Sequence, residues 1–578
     1  MSHHEELLAP GTFRTMKLGT LPDLYDHAVH TYGRSVYMRK HHPWGYQSIT
    51  YQEFGALVSY IGAGLIGRGL SRGDRVVLIA DNCPEWILVY AAVTSCGAAI
   101  VPLEPRMPEN EIHHLLLHSE ASFIIASPQI YADSIGGMNL GDVTAIVIGE
   151  TEDHSGAMSL SAIMAAGKEK ITGGDTAFFN ARSRTAPEDI AAISYTSGTT
   201  GQPKGAVLLH RNILADLEGV HGRITVRSSD VFLSVLPLHH TFASMTDMLV
   251  PLFRGATLAF ARSLKPRIML EDIRREKVTV FVGVPLIFEH LARAIPAPAA
   301  GRTGGFFGKI AAALRRVLRF GRRGPRAPEG SPAAALGQIR FCISGAASLR
   351  PDIEKALTGA GLKVLQGYGL TEASPVVSVN PLDRPKRGTV GPALPGIEVT
   401  IEAPDADGVG EIVVRGPNVM KEYFKNPSAT AAVLRGGALY TGDLGRIDRD
   451  GFLALVGRRK SVIVTAGGKN IYPDEIEALL NRSPMILECA VLSIKDRKGN
   501  ARPGAVIVPD YEALAAAPGV QGPGSEDRIR EIIAGEIREA CAELPEYKHI
   551  ADFQIRDSEL PRTPTRKLKR HLVQWIEE

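Results

Sequence analysis

The segment YTSGTTGQPKGAVLLHRN, which runs from Tyr195 to Asn212, constrains the fold of this chain more than any other. The apolar runs Ile190 to Ile193 and Ala206 to Leu209 each predict a strand. Between them, glycines let backbone N–H groups approach an anion, hydroxyls can donate to phosphate oxygens, and a lysine supplies positive charge. The segment therefore indicates a phosphate-binding loop, with a Gly/Thr-rich hairpin as the alternative. The candidate phosphate-binding residues are Thr196, Ser197, Gly198, Thr199, Thr200, Gly201 and Lys204.

The spacing differs from that of the P-loop of nucleoside triphosphatases, which requires G-x-x-x-x-G-K-[ST]. Here Lys204 follows Pro203 and precedes Gly205. The sequence therefore predicts that nucleotide phosphates are bound on another architecture.

Length and composition limit the class of protein. A chain of 578 residues exceeds what one hydrophobic core holds, so we expect two or more domains. The net charge of +3 gives no case for nucleic-acid binding. Five cysteines without metal-ligand spacing favour reduced thiols in a cytoplasmic protein. Because the sequence has no apolar core of signal length at its N-terminus and no run of about 18 apolar residues, we expect neither a secretory leader nor a spanning helix.

The order of elements predicts an α/β fold. Helical and strand patterns alternate from Leu21 to about Asn380, which is typical of mostly parallel sheets. From Gly388 to Leu455 the pattern is β-rich, with a clear strand at Gly410 to Gly416, and a smaller α/β segment follows. We therefore expect a large N-terminal domain (1–456) that includes a small β-rich subdomain, a hinge (457–460) and a smaller, mobile C-terminal domain (461–578).

A basic insertion interrupts the large domain at residues 296–332. On a helix, the stretch Phe306 to Phe320 places its apolar side chains on one side and four basic side chains on the other. Such a helix can lie on an anionic membrane surface. It can equally pack its apolar face on the protein and expose its arginines to water. The first reading predicts a cytoplasmic protein with peripheral contact to the inner face of a membrane.

Two further motifs carry oxygen ligands. In QGYGLTEASP, Gln366 to Pro375, Glu372 can supply one of the hard oxygen ligands that Mg²⁺ on phosphates prefers. In YTGDLGRID, Tyr440 to Asp448, the carboxylate of Asp443 can accept hydrogen bonds from two vicinal hydroxyls. Taken singly, each motif is also compatible with a surface turn.

The pair His239–His240 in LPLHHTFASM invites a metal hypothesis. Adjacent side chains on a strand diverge, however, and no Cys or Asp partner stands at ligand spacing. We therefore expect His240 to position a substrate and not to bind a metal ion.

Together these motifs, with GRRK after residue 456 and LPRTPTRKLKR at Leu560 to Arg570, resemble those of the acyl-adenylate-forming superfamily. That superfamily includes acyl-CoA synthetases, luciferases and peptide-type adenylation domains. The resemblance extends from about Leu21 to Val573, and within the superfamily the chain resembles long-chain fatty acid–CoA ligases. The missing Phe-Asp pair beside His240 disfavours an amino-acid substrate, and Ser244 stands where some long-chain synthetases place a tryptophan gate.

The resemblance implies a role for each candidate residue of the nucleotide site. Glu372 contacts Mg²⁺ (with Thr196 as a second metal candidate), Thr371 contacts the α-phosphate, Tyr368 lies against adenine, Asp443 and Arg458 hold the ribose, and Gly345 and Ala346 border the adenine and acyl pockets.

It also implies roles near the C-terminus. Lys567 promotes adenylation, although Arg566 replaces the usual glycine before it, so that Lys569 is the second candidate. Lys460 is the hinge residue, and Gly467 and Gly468 let the pantetheine arm of CoA pass close to the backbone.

These readings predict an enzyme that uses ATP and Mg²⁺ to activate a fatty acid as acyl-AMP and then transfers the acyl group to CoA. One alternative is a ligase that stops at acyl-AMP or hands the acyl group to an acyl carrier protein, for which a basic surface is suitable. An alternative of another class is a non-catalytic, membrane-associated protein that binds nucleotide or acyl groups.

Overall fold

The computed structural model describes most of the chain. The described residues are 18–42, 45–149, 156–196, 203–294, 336, 338–465, 469–496, 499–515, 520, 525–542, 544–562 and 568–576. The basic insertion, with the helix predicted at Phe306 to Phe320, lies outside these residues, as do Ser197 to Gly201, Gly467, Gly468 and Lys567.

The first large sheet, sheet 1, has eight strands. Five of its seven pairings are parallel, and the two at one edge are antiparallel. In order across the sheet its strands are Glu422–Tyr423, Lys204–Leu209, Ile190–Thr196, Ala99–Pro102, Arg75–Ile79, Phe123–Ala126, Thr144–Val147 and Met158–Ser159. The two strands predicted around the phosphate-binding loop are thus confirmed, and they pair with each other.

The second large sheet, sheet 2, also has eight strands, with antiparallel pairs only at its two edges. In order its strands are Val376–Val379, Val364–Gly369, Phe341–Ser344, Val280–Gly283, Val231–Ser234, Thr257–Phe260, Val36–His42 and Gly45–Thr50. The six strands in the middle run parallel, so their carboxyl ends meet at one edge of the sheet.

One helix, Pro84–Ser95, is buried on almost every side, and only Glu85 is partly exposed. Its core side chains belong to one apolar cluster that also contains Val76 of sheet 1 and Phe232 of sheet 2. Helices cover the remaining faces, as expected for largely parallel sheets. The other helices of the large domain are Leu21–Tyr32, Tyr51–Ile66, Glu109–Ser119, Leu160–Thr172, Ala177–Ser183, His210–Arg223, Val250–Arg254, Pro266–Arg275, Pro285–Ala294, Pro351–Gly359 and Pro427–Val433, besides single short turns.

Local sequence explains where several of these helices begin and how they pack. Thr50 and Glu53 form a reciprocal capping box at the start of Tyr51–Ile66. Gly64 and Gly167 let this helix approach Leu160–Thr172 closely. A Cβ on Gly64 would lie 2.1 Å from the carbonyl oxygen of Ile163, and a Cβ on Gly167 would lie 1.8 Å from that of Tyr60. The glycines are therefore required by the packing and not by a turn.

A smaller sheet and a separate C-terminal unit complete the chain. The small sheet contains Glu398–Glu402, Gly410–Arg415, Ala438–Ile447, Leu434–Arg435 and Leu453–Arg458. The C-terminal unit contains the sheet Ile486–Lys495, Ala501–Pro509 and Asp552–Ile555, the strand pair Ile463–Val464 and Asn470–Ile471, and the helices Pro473–Leu480, Tyr511–Leu514 and Ser525–Cys541. Its own core includes Ile529, Ile533 and Ile537 at helical spacing.

The predicted α/β architecture, with a large domain of mostly parallel sheets and a smaller C-terminal domain, is confirmed. The predicted boundary at 457–460 stays a prediction, and strand Leu453–Arg458 continues into it. In the part of the chain that the structure describes, no helix is both long and apolar enough to cross a membrane.

The protonation of His210 makes the free energy of unfolding depend on pH. Its ring is fully buried, Nδ1 accepts a hydrogen bond from the Leu21 N–H at 3.1 Å, and Nε2 has no hydrogen-bond partner among the described residues. Burial lowers the pKa of His210 from 6.5 to about 4, and Asp189 and Asp23 only partly oppose this shift. The folded protein therefore keeps the ring neutral, whereas the unfolded chain protonates it as the pH falls through 6.5.

We expect His210 to remove about 2 kcal/mol of unfolding free energy between pH 7 and pH 5, because the unfolded state binds the extra proton. His210→Asn keeps an acceptor for the Leu21 N–H but does not titrate. Urea unfolding at both pH values should show a smaller loss for the variant than for the wild type. Equal losses would contradict a neutral buried His210.

Candidate active site

One large cavity, of about 2560 Å³, lies where the large domain, the small sheet and the C-terminal unit meet. The residues that directly follow four parallel strands of sheet 2 line it, namely Val235, Val284, Gly345 and Leu370. Ligand sites in open α/β sheets form at this carboxyl edge, since loops there can vary while the strands stay fixed. We therefore describe each predicted site residue by its position relative to this cavity.

Tyr368, Asp443 and Arg458 form one hydrogen-bonded group in the cavity wall. The Tyr368 hydroxyl donates to Asp443 Oδ2 at 2.8 Å, and Arg458 Nε lies 2.8 Å from Asp443 Oδ1. Asp443 and Arg458 face each other across two paired strands of the small sheet. Burial, and then the charge of Asp443, raises the pKa of Tyr368 well above its usual value, so the phenol remains a donor. The group presents an aromatic ring, a carboxylate and a guanidinium together.

Glu411, which the sequence analysis did not single out, supports the loop of Asp443. Glu411 Oε1 accepts a hydrogen bond from the Gly442 N–H at 2.9 Å, and Glu411 Oε2 lies 2.5 Å from Arg459 Nη1. Gly442 has φ +72°, a conformation that glycine adopts without strain. Nothing in the local sequence marks Glu411, because its partners are brought to it only by strand pairing.

Lys204, Thr196 and Glu372 line the cavity on the side of sheet 1. Thr196 ends the strand that precedes the phosphate-binding loop, and its Oγ1 donates to the Lys204 carbonyl at 3.4 Å. Tyr423, which the sequence analysis did not single out, lies between the other two. Its hydroxyl donates to Glu372 Oε1 at 2.6 Å, and Lys204 Nζ lies 5.4 Å from the centre of its ring. The predicted phosphate and metal residues are thus brought together by a third side chain.

Thr371 and His240 lie on neighbouring loops of the same cavity. The two loops touch where Thr371 Oγ1 and Thr241 Oγ1 share a hydrogen bond of 3.3 Å. Asn82 holds the histidine loop from the side of sheet 1, since its amide donates to the Leu236 carbonyl at 2.7 Å and its Oδ1 accepts from the Leu238 N–H.

The expectation that the rings of His239 and His240 diverge on a strand is wrong. Both residues lie in a turn that precedes the short helix Thr241–Ala243, and their ring centres are only 4.1 Å apart. Burial, with His240 beside it, lowers the pKa of His239 well below its usual value. Ser244, at the predicted gate position, begins the π-helix Ser244–Leu249 and donates to the Thr241 carbonyl.

Gly345 and Ala346 border the cavity next to an aromatic side chain. A Cβ on Gly345 would lie 2.6 Å from the ring of Phe242, so only glycine fits there without moving the ring. Ala346 has φ +69°, an uncommon conformation for a residue with a side chain. That Gly345 and Ala346 border the adenine and acyl pockets stays a prediction.

The cavity has an apolar part on the side of sheet 2. Helices His210–Arg223, Pro266–Arg275 and Pro285–Ala294 contribute to it. The apolar side chains there are Val220, Ile224, Val235, Leu236, Leu264, Met269, Val284, Leu286, Ile287 and Ile343, and His290 is a polar one.

The C-terminal unit closes the cavity from the opposite side. Lys460, in the short helix Arg459–Ser461, lines it, and so do Lys569 and Arg570. Arg570 is largely buried against Glu477 and Asp474, its Nη2 lying 3.1 Å from Asp474 Oδ1. The predicted Lys567, Gly467 and Gly468 and five residues of the phosphate-binding loop lie outside the described residues, so their roles stay predictions.

The residues on this side of the cavity fit a magnesium ion carried on a nucleotide. Within the described ranges, no three His, Cys, Asp or Glu residues are grouped so that they could hold a metal ion. Glu372 offers a carboxylate to the cavity beside Lys204, and the Thr196 hydroxyl is close to the same lysine. One or two protein oxygens together with phosphate oxygens are the set that Mg²⁺ commonly takes.

Comparison with protein families and known proteins gives consistent matches. The model of the family described as AMP-binding enzyme matches residues 26–424, and that of the AMP-binding enzyme C-terminal domain matches residues 475–567. A long-chain-fatty-acid–CoA ligase, FadD15 of Mycobacterium tuberculosis, is 32% identical over 544 residues, which cover 88% of each chain. A feruloyl-CoA synthase of an Amycolatopsis species is 31% identical over 477 residues, 80% of this chain and 84% of that one.

Among solved structures, ATP-bound MatB from Rhodopseudomonas palustris superimposes with a TM-score of 0.73 at 26% identity. The match covers 95% of this chain and 98% of MatB.

Proposed function

We infer the function of this chain from one premise: it belongs to the AMP-binding enzyme family. We propose that it is an ATP-dependent acyl-CoA ligase whose acid is a long-chain fatty acid. In the first step a carboxylate oxygen attacks the α-phosphorus of ATP, and the bond to the β-phosphate oxygen breaks, which gives acyl-AMP and pyrophosphate. In the second step the CoA thiol attacks the acyl carbon and loses its proton, and AMP leaves.

The observation that carries this proposal is the composition of the cavity wall. One cavity is bordered by the Tyr368–Asp443–Arg458 group, by Lys204 and Glu372, and by the apolar side chains on the side of sheet 2. A nucleotide and an acyl chain can therefore reach each other without leaving the protein. Exclusion of water protects a mixed anhydride from hydrolysis, and fixed positions favour the bimolecular steps.

We assign a role to each predicted site residue that lines the cavity. The Asp443 carboxylate accepts the ribose hydroxyls, with Arg458 beside it, and the Tyr368 ring lies against adenine. Thr371 and Lys204 donate to phosphate oxygens, and His240 orients the carboxylate. Glu372, with Thr196 as the second candidate, would hold Mg²⁺. The ion, when bound, supplies positive charge that screens the phosphate oxygens.

The apolar wall supports an alkyl chain as the acyl group. Burial of each methylene contributes roughly 0.8 kcal/mol, so affinity should rise with chain length until the wall ends. A hydroxycinnamic acid is the second candidate. Similarity to a feruloyl-CoA synthase favours it, and so does the imidazole of His290, which is a polar partner for a phenol in this wall.

The test is pyrophosphate release with ATP and Mg²⁺ over acids from acetate to palmitate and oleate, with ferulate and 4-coumarate, each with and without CoA. We expect release to peak with long chains and thioester to form only with CoA. A peak with ferulate that His290→Leu abolishes would replace the fatty acid by the aromatic acid. Acyl-AMP that is passed to acyl carrier protein and not to CoA would favour the carrier-protein ligase.

Lys567 and Lys569 can be separated by a second experiment. Charge develops on the phosphate oxygens during adenylation, and a lysine that neutralises it contributes roughly 10²–10³-fold to the rate. Lys567→Ala should lower pyrophosphate release by that factor and leave thioester formation from added acyl-AMP unchanged. Lys569→Ala, the matched control, should change either step less than threefold. The reverse pattern would move the role to Lys569.

Tyr368→Phe tests the nucleotide assignment. The variant keeps the ring but removes the donor to Asp443, and a hydrogen bond to a charged group contributes about 1.5–3 kcal/mol. We expect the dissociation constant of ATP, measured by calorimetry, to rise about tenfold while the KM for the acid stays constant. Tyr25→Phe, which removes a buried hydroxyl outside the cavity wall, serves as the control. Unchanged ATP affinity in Tyr368→Phe would contradict the assignment of the Tyr368–Asp443–Arg458 group to nucleotide binding.

A further inference from the structure

Tyr423 lies between two side chains that come from distant parts of the chain. Its hydroxyl donates to Glu372 Oε1 at 2.6 Å, and Lys204 Nζ lies 5.4 Å from its ring centre. Tyr423 is itself largely buried and borders the cavity. One aromatic side chain thus contacts a carboxylate through its edge and a cation through its face.

The backbone around Tyr423 fixes this position. Strand Glu422–Tyr423 pairs with Lys204–Leu209, and Tyr423 stands opposite Ala206. The Phe424 N–H donates to the Gly205 carbonyl at 2.7 Å, and the Met420 N–H donates to the Glu372 carbonyl at 2.8 Å. The segment is therefore bonded to both the phosphate-loop strand and the Glu372 loop.

We propose that Tyr423 is a positioning residue that orients the Glu372 carboxylate toward the Mg²⁺ that accompanies ATP and keeps Lys204 beside it. This inference rests on the proposed function of Glu372. The hydroxyl engages Oε1 and so restrains the rotation of the carboxylate, and Oε2 would be the oxygen available to hold Mg²⁺. Hydrogen-bonded partners of metal-binding carboxylates commonly alter metal affinity 10–100-fold when they are removed.

The chemistry of the pair is suited to this role. A phenol O–H donates and a carboxylate oxygen accepts, so the 2.6 Å hydrogen bond joins the Tyr423 hydroxyl to Glu372 Oε1.

Calorimetric binding of ATP, with Mg²⁺ and with EDTA, tests this inference without turnover. In Tyr423→Phe the ring remains and only the hydroxyl is lost. We expect its ATP affinity in EDTA to stay within twofold of the wild type, while the gain in affinity on adding Mg²⁺ falls roughly tenfold. Tyr423→Leu also removes the ring beside Lys204, so it should weaken ATP binding in EDTA as well.

Two further variants make the result specific. Tyr511→Phe removes another tyrosine–carboxylate hydrogen bond, to Asp557 in the C-terminal unit, and should behave as the wild type. Glu372→Gln should abolish the Mg²⁺-dependent gain, and adding Tyr423→Phe to it should have no further effect.

A Mg²⁺-dependent gain that Tyr423→Phe leaves intact, or an equal loss with and without Mg²⁺, would overturn the inference. A wild-type protein that binds ATP but gains nothing from Mg²⁺, or a gain that survives in Glu372→Gln, would overturn the metal role of Glu372 and this inference with it. The Mg²⁺-dependent gain in the wild type and in Glu372→Gln tests the metal role of Glu372 without any change at Tyr423. Failure of the proposed function is therefore distinguishable from failure of the role of Tyr423.

Discussion

The parallel register of the six middle strands in sheet 2 is the constraint on which the rest of the site depends. Parallel pairing forces every carboxyl end to one edge, so the segments that follow Ser234, Gly283, Ser344 and Gly369 meet around one space. These four segments therefore converge because of the strand pairing, whatever side chains they carry. The helix Pro84–Ser95, buried between the two large sheets, then fixes the distance to the phosphate-loop strands of sheet 1.

Parallel pairing gathers the carboxyl ends of the strands, whereas antiparallel pairing at the edges of the sheets brings distant parts of the chain to the cavity. Strand Glu422–Tyr423 lies in sequence among the strands of the small sheet, yet it pairs with sheet 1. That single crossing brings Tyr423 to both Glu372 and Lys204. In the small sheet, antiparallel pairing of Ala438–Ile447 with Leu453–Arg458 sets Arg458 opposite Asp443.

These two kinds of pairing explain what the sequence could predict. Strands such as Ile190–Thr196 carry their information locally, in periodicity and residue type, and so they were predicted correctly. Tyr423 and Glu411 carry no such signal, because a lone Tyr or Glu on a strand becomes meaningful only through partners that strand pairing supplies. The geometry of His239 was predicted wrongly for a related reason: the apolar run suggested a strand, whereas the chain turns.

Strand pairing also limits where the C-terminal unit can turn, if the two half-reactions need different orientations. Gly457 and Arg458 are paired with Leu444 and Asp443, so a pivot within them would break the Tyr368–Asp443–Arg458 group. A rotation that preserves this group must begin at or after Arg459, which is held by Glu411. Lys460 is the next residue, and the hinge role that the sequence indicated for it stays a prediction. The same rotation must release Tyr472, which packs with Val409 and Leu444 and donates to Asp405.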